Sequence, residues 1–249
     1  MADPVVRRAT VALPGYPAGA PPLTIALLSD IHVAGPDMPP SRLARIVGQV
    51  NALHPDLVLL AGDFVSDKQL ATRRYSTTEA LAPLAALRPA IATVAVRGNH
   101  DHWRSDGDIR RALARAGAVV LTNDARRFGP LVVGGLDDFS TGHADVPRTL
   151  AAMDALGPAQ VLLSHSPDPF PALPRRVGLT LAGHTHCGQI RLPLIGALAT
   201  NSRYGARYAC GLVRERGEVL IVTAGLGTSV LPFRFGARPD VWLITVRAK

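Results

Sequence analysis

Cysteine and lysine are both scarce in this chain of 249 residues. Two cysteines, Cys187 and Cys210, are too few for a disulfide framework, and without a C-x-x-C motif they indicate neither a zinc knuckle nor a redox pair. One disulfide between them is left open. Only Lys68 and Lys249 are lysines, so arginine supplies 25 of the 27 basic residues behind the net charge of +8. This excess suits an acidic or phosphorylated partner.

Long hydrophobic runs are also missing. The longest apolar stretches, such as LTIALLS and VLIVTAG, have the length of a strand and fall short of the roughly 20 residues that cross a bilayer. Near the start, Arg7-Arg8 is followed by VALPGYPAGAPP, which lacks the apolar region of a signal peptide. We therefore expect a cytoplasmic protein or one bound peripherally at a membrane, and an exported or periplasmic one only if an N-terminal segment has been removed.

What is present is the alternation of an α/β protein. Hydrophobic residues make up 47% of the chain and charged residues 18%, which favours a folded domain. Leu43, Ile46, Val47, Val50 and Leu53 recur at the spacing of one helix face, between two strand-like runs. The apolar runs predict strands at 23–29, 57–61, 91–96, 118–122, 131–135, 160–164, 178–182, 208–213, 218–223 and 241–246.

The sequence also indicates one further helix and two segments without a regular pattern. Ser105 before Asp106 and Asp108 predicts the start of a helix that ends at Gly117. Residues 1–22 form a Pro/Gly-rich lead, and residues 190–208 lack clean periodicity, which indicates a long loop or small cap. Since no repeat or linker is visible, we expect a single domain over residues 1–249.

Polar residues gather where the predicted strands end. Five strands run into Asp, Asn or His at the edge where open α/β sheets build their sites, in the motifs DIH, GD, GNHD, a lone His and GHTH. On extended backbone, alternate side chains point to the same side, so Asp30 with His32, and His184 with His186, could each converge on one ion. Glycines before Asp63, Asn99 and His184 allow close backbone approach.

The donor types narrow the choice of metal. Carboxylate, amide and imidazole without thiolate suit Mn²⁺, Fe or Zn²⁺ better than Mg²⁺ or Ca²⁺. Six or seven ligands exceed one tetrahedral zinc but suit two divalent ions that share a carboxylate. We expect two ions, with Mn²⁺ as the first choice. Such a pair can lower the pKa of a shared water and so generate a hydroxide nucleophile.

The ordered motifs together resemble the calcineurin-like metallophosphoesterase superfamily. The longer strings SDIH, LLAGDFVSD, RGNHD, LSHSPD and LAGHTHCGQIRLP are similar to its bacterial branch of YkuE-type and YaeI-type phosphodiesterases, over residues 23–246. The resemblance implies a four-layer α/β/β/α sandwich of two mixed sheets flanked by helices. It implies metal ligation by the following residues: Asp30, His32 and His186 for one ion, Asn99, His165 and His184 for the other, and Asp63 as the bridge.

The catalytic group implied by the resemblance is the GNHD motif. His100 would lie beside the phosphate and supply a proton or positive charge to the leaving group, with Asn99 beside it as a ligand and Asp101 orienting the ring. His54, His102 and His143 are expected to be ordinary surface or loop histidines. Cys187 is expected to be a small packed residue whose side chain points away from that of His186.

Several functions remain open within this interpretation. A phosphodiester or pyrophosphate substrate that is lipid-linked, such as UDP-2,3-diacylglucosamine, is favoured because segments 190–208 and 229–238 mix apolar residues with arginines, as at a lipid phosphate or an anionic membrane. Ordinary loop packing explains the same residues. Small soluble or cyclic nucleotides and nucleic acid are alternatives, although the arginines are scattered. A catalytically silent interaction scaffold is the alternative from another class.

Overall fold

The computed structural model describes residues 2–66 and 68–249, without the side chains of residues 105 and 106. The described chain forms two six-stranded sheets, a two-stranded hairpin and four α-helices. The strands are β1 Val5–Ala12, β2 Leu23–Leu28, β3 Leu57–Ala61, β4 Ala92–Val96, β5 Ala118–Val120, β6 Asp124–Phe128, β7 Leu131–Gly135, β8 Gln160–Leu163, β9 Val177–Ala182, β10 Arg191–Leu192, β11 Gly196–Ala197, β12 Gly211–Glu215, β13 Glu218–Val222 and β14 Asp240–Arg247. The helices are α1 Pro40–Asn51, α2 Thr77–Leu81, α3 Asn99–Arg115 and α4 Val146–Leu156.

Both large sheets are mixed. The first has the order β1-β14-β2-β3-β4-β5, and the second has the order β12-β13-β9-β8-β7-β6. In the first sheet β2, β3 and β4 are parallel, and in the second β7, β8, β9 and β13 are parallel. The carboxyl ends of these parallel strands therefore lie at one edge of each sheet, which is where the site residues follow.

Alternation along the strands produces four layers. In β2, Ile25 and Leu27 face inward and pack with Leu179 and Leu181 of β9, so the two sheets share one apolar core. The intervening Ala26 belongs to a second core under α1 and α3. A third core lies between the second sheet and α4. The expected α/β/β/α sandwich is thereby confirmed.

Most predicted strands are found, and two have identical bounds: β3 at 57–61 and β7 at 131–135. Strand β1 lies within the Pro/Gly-rich lead of residues 1–22 and was not predicted, although it pairs in parallel along the whole of β14. It was missed because exposed arginines interrupt its apolar pattern. Strand β6 and helices α2 and α4 were also not predicted. The irregular segment 190–208 contains only the hairpin β10–β11 and a short 3-10 turn.

The start of α3 was also predicted wrongly. The helix begins at Asn99, six residues before Ser105, and its amino end is capped by Asp101, whose carboxylate accepts the Gly98 N–H at 2.9 Å. The Ser105 side chain lies outside the described atoms. The helix therefore starts inside the GNHD motif, which places Asn99 and His100 in its first turn. None of the helices in the described ranges is long and apolar enough to cross a bilayer.

The position of Gly62, directly after β3, tolerates only a residue without a side chain. Its φ is +83°, and a Cβ there would lie 2.6 Å from the backbone nitrogen of Gly98. We expect Gly62→Ala to lower the free energy of unfolding by at least about 2 kcal/mol, because left-handed strain and a backbone clash add. Gly48→Ala, in an exposed and open position of α1, should instead raise it by about 0.5–1 kcal/mol. Urea unfolding measures both, and equal effects would contradict this account.

Candidate functional site

The five polar motifs meet where the carboxyl edges of the two sheets face each other. His165, which follows β8 in the second sheet, donates its Nδ1–H to the carbonyl of Ala61 in β3, at 2.7 Å. The backbone N–H of His184 donates to the Asp30 carboxylate at 3.0 Å. These bonds join the two sheets at the site, so residues far apart in the chain become neighbours.

One group of donors comprises Asp30, His32 and His186, and all three side chains are buried. Nε2 of His32 lies 3.2 Å from Nε2 of His186, which in turn is 3.3 Å from Asp30 Oδ1. This is the trio predicted for one ion. The three donor atoms are close enough to bind a single cation together.

The second group surrounds His165. Its Nε2 lies 3.1 Å from both Asn99 Oδ1 and His184 Nδ1, which are the other two residues predicted for the second ion. Asp63 Oδ2 lies 3.2 Å from His165 Nε2 and 3.4 Å from His32 Nε2. The Asp63 carboxylate therefore stands between the two groups, in the position that the bridging role requires.

The hydrogen-bond pattern fits a cation. The backbone carbonyls of Val65 and Ala61 can only accept, so His32 and His165 each present Nδ1–H to them and direct Nε2 toward Asp63. In the neutral form of either ring, a lone pair then faces a carboxylate oxygen. Two acceptors at 3.2–3.4 Å need a proton or a metal ion between them. Carboxylate, amide and imidazole donors that meet in this way are suitable ligands for the expected metals.

Charge coupling within the site is strong. Burial by itself would raise the pKa of Asp63, but His165 and His32 outweigh burial and hold it well below its ordinary value. Burial by itself would lower the pKa of His165, yet the Asp63 carboxylate raises the pKa of this histidine well above its ordinary value. Burial lowers the pKa of His32 and His186 well below the ordinary value. The carboxylate is thus ionised, and at least two imidazoles are neutral, as ligands must be.

The backbone that presents these ligands is left-handed rather than extended. Five of the predicted ligands have positive φ, between 47° and 69°: Asp30, His32, Asp63, His184 and His186. The expectation that D-x-H and H-x-H chelate from extended strands was wrong, because each strand has already ended in a tight turn. Non-glycine residues adopt this conformation rarely, and such residues cluster at functional sites.

His100 lies beside the donors. Its backbone N–H donates to Asp63 Oδ1 at 3.0 Å, and its half-buried ring packs edge-on against the His32 ring at 4.8 Å. Its ring nitrogen also falls within reach of His32 and Asp63 as a third donor group. Asp101 does not have the expected geometry for orienting the His100 ring. Its carboxylate instead accepts backbone N–H groups of Asp63, Phe64 and Gly98, and burial with the nearby Asp63 raises its pKa to about 7.

Two residues that support the ligands were not predicted. Ser29 hydrogen-bonds the Asp30 carboxylate, and the Arg234 guanidinium approaches Nδ1 of His186 at 3.1 Å. Because a guanidinium only donates, Nε2 carries the hydrogen of the neutral His186 ring in this arrangement. Binding of an ion through Nε2 would require that hydrogen to leave Nε2. A serine beside the DIH motif was a local signal, whereas no sequence pattern indicated Arg234.

The cysteines form a disulfide, which had been left open. Cys187 has a φ of 52°, so it lies in the ligand turn rather than on extended backbone and is packed as half of the bridge. The bridge fastens the residue after His186 to Cys210, and Thr185 Oγ1 donates to the Ala209 carbonyl at 2.6 Å beside it. The segment between the cysteines is therefore closed at its base next to a ligand.

A cavity of about 590 Å³ borders the site and contains residues expected to be ordinary. His102 and His143 stack in it with ring centroids 4.1 Å apart, and Asp137 accepts from His102 Nε2 at 2.9 Å. Trp103 is exposed and packs against the ring of His100 at 4.8 Å. His54 and His143 are exposed loop residues as predicted, whereas His102 is half-buried on α3. The stacking of His102 on His143 joins α3 to a separate loop, and the spacing of these residues in the sequence does not show it.

Comparison with known proteins agrees with this geometry. A family model described as calcineurin-like phosphoesterase matches residues 23–188. The chain is 33% identical over 244 residues to a transmembrane protein with metallophosphoesterase domain from Danio rerio, covering 90% of this chain and 53% of that protein. It is 32% identical over 242 residues to the phosphodiesterase YaeI of Escherichia coli, covering 90% of this chain and 82% of that one.

A solved structure shares the fold. The 5'-nucleotidase precursor of Thermus thermophilus superposes with a TM-score of 0.50 at 14% identity, over 82% of this chain and 49% of that one. This chain thus spans about half the length of both the zebrafish relative and the nucleotidase. The matched region contains every predicted ligand and ends two residues after His186. The predicted resemblance is confirmed, and the chain belongs to the calcineurin-like phosphoesterase family.

Proposed function

We propose that this protein is a phosphohydrolase that depends on two divalent metal ions and cleaves phosphodiester or pyrophosphate bonds. The observation that carries the proposal is the position of Asp63, whose Oδ2 lies 3.2 Å and 3.4 Å from imidazole nitrogens of two separate donor groups. A carboxylate between two groups of neutral donors suits a shared ligand of two ions. We assign Asp30, His32 and His186 to one ion, and Asn99, His165 and His184 to the other.

Charge favours an anionic substrate. Asp30 and Asp63 contribute two negative charges, so with two divalent ions the centre would retain about +2. When bound, the two ions supply an activated water and polarise the phosphoryl oxygens. Mn²⁺ is our first choice, with Fe or Zn²⁺ as alternatives, because imidazole and amide donors accompany the carboxylates.

We assign proton transfer to His100. Its half-buried ring stands next to the donors and packs against exposed Trp103, which lines the bordering cavity. A histidine can give a proton to a departing alkoxide near neutral pH. Asn99 and His100 share the first turn of α3, and Asp101 anchors this turn by accepting three backbone N–H groups. Asp101 thus positions the catalytic turn through its backbone.

A lipid-linked substrate such as UDP-2,3-diacylglucosamine is supported by apolar and arginine side chains beside the site, at Leu194, Ile195 and Arg191. The cavity with Trp103 and the stacked histidines favours a second candidate, a soluble or cyclic nucleotide whose base packs on these rings. Assays with bis-p-nitrophenyl phosphate, p-nitrophenyl phosphate, cyclic nucleotides and the UDP-lipid, each with added Mn²⁺, separate the two. Metal-loaded protein without turnover on any of them would indicate a scaffold.

The bridging role of Asp63 predicts a coupled loss. Asp63→Asn should lower bound metal from two ions to one or none and reduce activity on bis-p-nitrophenyl phosphate by at least a hundredfold, because both donor groups lose their shared charge. Elemental analysis and turnover measure these effects. Asp56→Asn is the matched control, since its carboxylate holds Thr24 at the opposite edge of the sheet. Two ions and full activity in Asp63→Asn would exclude the dinuclear assignment.

His100→Ala separates catalysis from metal binding. We expect two bound ions as in the parent protein and a turnover number about a hundredfold lower, since general acid catalysis contributes on the order of 10²–10⁴. His54→Ala removes an exposed histidine of a loop and should change neither quantity. If His100→Ala loses an ion, its ring belongs to the third donor group and our assignment is wrong.

Trp103 tests the nucleotide candidate. Trp103→Ala should raise KM for a cyclic nucleotide at least about fivefold, because stacking of a base on an aromatic ring contributes about 1–3 kcal/mol. Trp103→Phe keeps a flat ring and should restore most of the affinity. KM for p-nitrophenyl phosphate provides the comparison. An unchanged KM for the nucleotide in Trp103→Ala would remove this cavity from substrate binding.

A further inference from the structure

Exposed apolar side chains are concentrated on one part of the surface. Eleven large hydrophobic residues are exposed among the described residues, and seven of them belong to segments 190–208 and 229–238, which hold only 29 residues. We call these two segments the apolar rim. Its exposed members are Leu194, Ile195, Leu198, Tyr204, Val230, Phe233 and Phe235.

The rim is one continuous surface. The backbone N–H of Arg191 donates to the Phe235 carbonyl at 2.8 Å, and that of Phe235 donates to the Gln189 carbonyl at 3.0 Å. The Gln189 side chain adds bonds to the carbonyls of Leu231 and Phe233. Since this framework is made of backbone and amide bonds, the apolar tips project from a supported base instead of folding onto the core.

The hairpin β10–β11 carries the most exposed tip. Leu194 lies in its turn with a φ of 67°, and its side chain is fully exposed, while Ile195 is 70% exposed. The disulfide between Cys187 and Cys210 closes the segment that contains this hairpin. Burial of these two side chains in water-free surroundings would be favourable, and the fold provides no neighbour that covers them among the described residues.

Charge on the rim has one sign. Its two segments contain five arginines and no aspartate or glutamate. Arg207 is paired with Glu215, and Arg234 is turned inward to His186. For Arg191 and Arg238, no carboxylate of the described residues lies within ion-pair distance.

A cavity lined by arginines lies next to Ile195 of the hairpin. Its volume is about 490 Å³, and it is lined by Arg7, Arg191 and Arg238 together with Ile195 and the disulfide. Arg7 is held by Asp240 at 2.8 Å. The lining contains no acidic residue. Arginine is suited to bidentate binding of phosphate, so the cavity has the size and chemistry for a phosphate headgroup.

We propose that the apolar rim binds the surface of a membrane that contains anionic phospholipids. Leu194 and Ile195 enter the interface between headgroups and acyl chains, and Arg191 and Arg238 hold a headgroup phosphate in the cavity. Exposed apolar tips beside Arg191 and Arg238, which have no carboxylate of the described residues within ion-pair distance, complement such a surface in both hydrophobicity and charge. This docking rests on the lipid-linked substrate proposed above. It would bring the membrane near the metal site, because Cys187 of the disulfide directly follows His186. Docking itself requires no hydrolysis.

Sedimentation with vesicles tests the docking. The full chain should bind vesicles of phosphatidylcholine with about 30% phosphatidylglycerol several times more tightly than vesicles of phosphatidylcholine alone, and salt at about 0.5 M should weaken the binding because it screens charge. The double variant Leu194→Ser/Ile195→Ser should bind at least tenfold more weakly. Arg238→Gln should bind about fivefold more weakly, as expected for one arginine at an anionic surface.

Matched controls lie at the opposite edge of the first sheet. Ile91→Ser removes an exposed apolar side chain just before β4, and Arg247→Gln removes an arginine at the far end of β14, the strand that follows Arg238. Both controls should bind vesicles like the parent protein. Equal binding by the rim variants and these controls, or equal binding to charged and neutral vesicles, would overturn the proposal.

Two further measurements distinguish membrane docking from binding of free phosphate and from hydrolysis. If millimolar inorganic phosphate stabilises the protein through Arg238 while vesicles are not bound, the cavity is a site for free phosphate and the membrane proposal is wrong. Asp63→Asn should bind vesicles like the parent protein, because Asp63 is outside the rim. Vesicle binding with no activity on any phosphoester would leave the docking intact and reject the hydrolase, and the reverse result would reject the docking alone.

Discussion

The carboxylate of Asp63 can serve two groups of donors only if the edges of two different sheets approach within hydrogen-bond distance. That approach is made by bonds between the sheets, from His165 Nδ1 to the Ala61 carbonyl and from the His184 backbone to Asp30. Small residues make room for it, as at Gly98 after β4, where a Cβ would lie 2.8 Å from the ring of His165 in the second sheet. The sandwich, the glycines and the left-handed turns all follow from this one requirement.

The same approach carries an energetic cost. Asp30, Asp63, His32 and His165 are buried almost completely, and buried charges destabilise a fold unless they are paired. Asp63 is stabilised as an anion by His165 and His32, while Asp101 nearby has its pKa raised to about 7. Such a cluster contributes little to the stability of a core, but it suits a site that binds cations. We therefore regard the cluster as retained for binding and chemistry rather than for stability.

Two surfaces of different chemistry border the centre. On one side, Trp103 and the stacked pair of His102 and His143 line a cavity next to His100. On the other, the disulfide joins the residue after His186 to Cys210 and so closes the segment that contains the first part of the apolar rim. Aromatic rings suit a base or another planar group, whereas apolar tips with arginines suit lipid. A substrate with both parts would span the centre, which is why the UDP-lipid and nucleotide assays discriminate best.

Much of the fold was predictable because burial imposes a period on the sequence. The apolar runs of β3 and β7 have the predicted bounds, and the face of α1 has the predicted period. Strand β1 was not predictable in this way, since it lies at a sheet edge and exposes its arginines. The start of α3 was misplaced because its cap is Asp101, whose partners include Asp63 and Phe64 in the loop after β3. A cap that also serves distant backbone has no purely local signature.

The sequence by itself determined the order of the ligand motifs and their places after buried strands, because residue type and apolar period are local properties. It also indicated the donor types that a cation would meet. Only the tertiary structure decided that the ligands converge from left-handed turns, that Arg234 contacts His186, that the cysteines pair and that His102 stacks on His143. Each of these depends on the distance between segments remote in the chain, and the packing of the two sheets sets that distance.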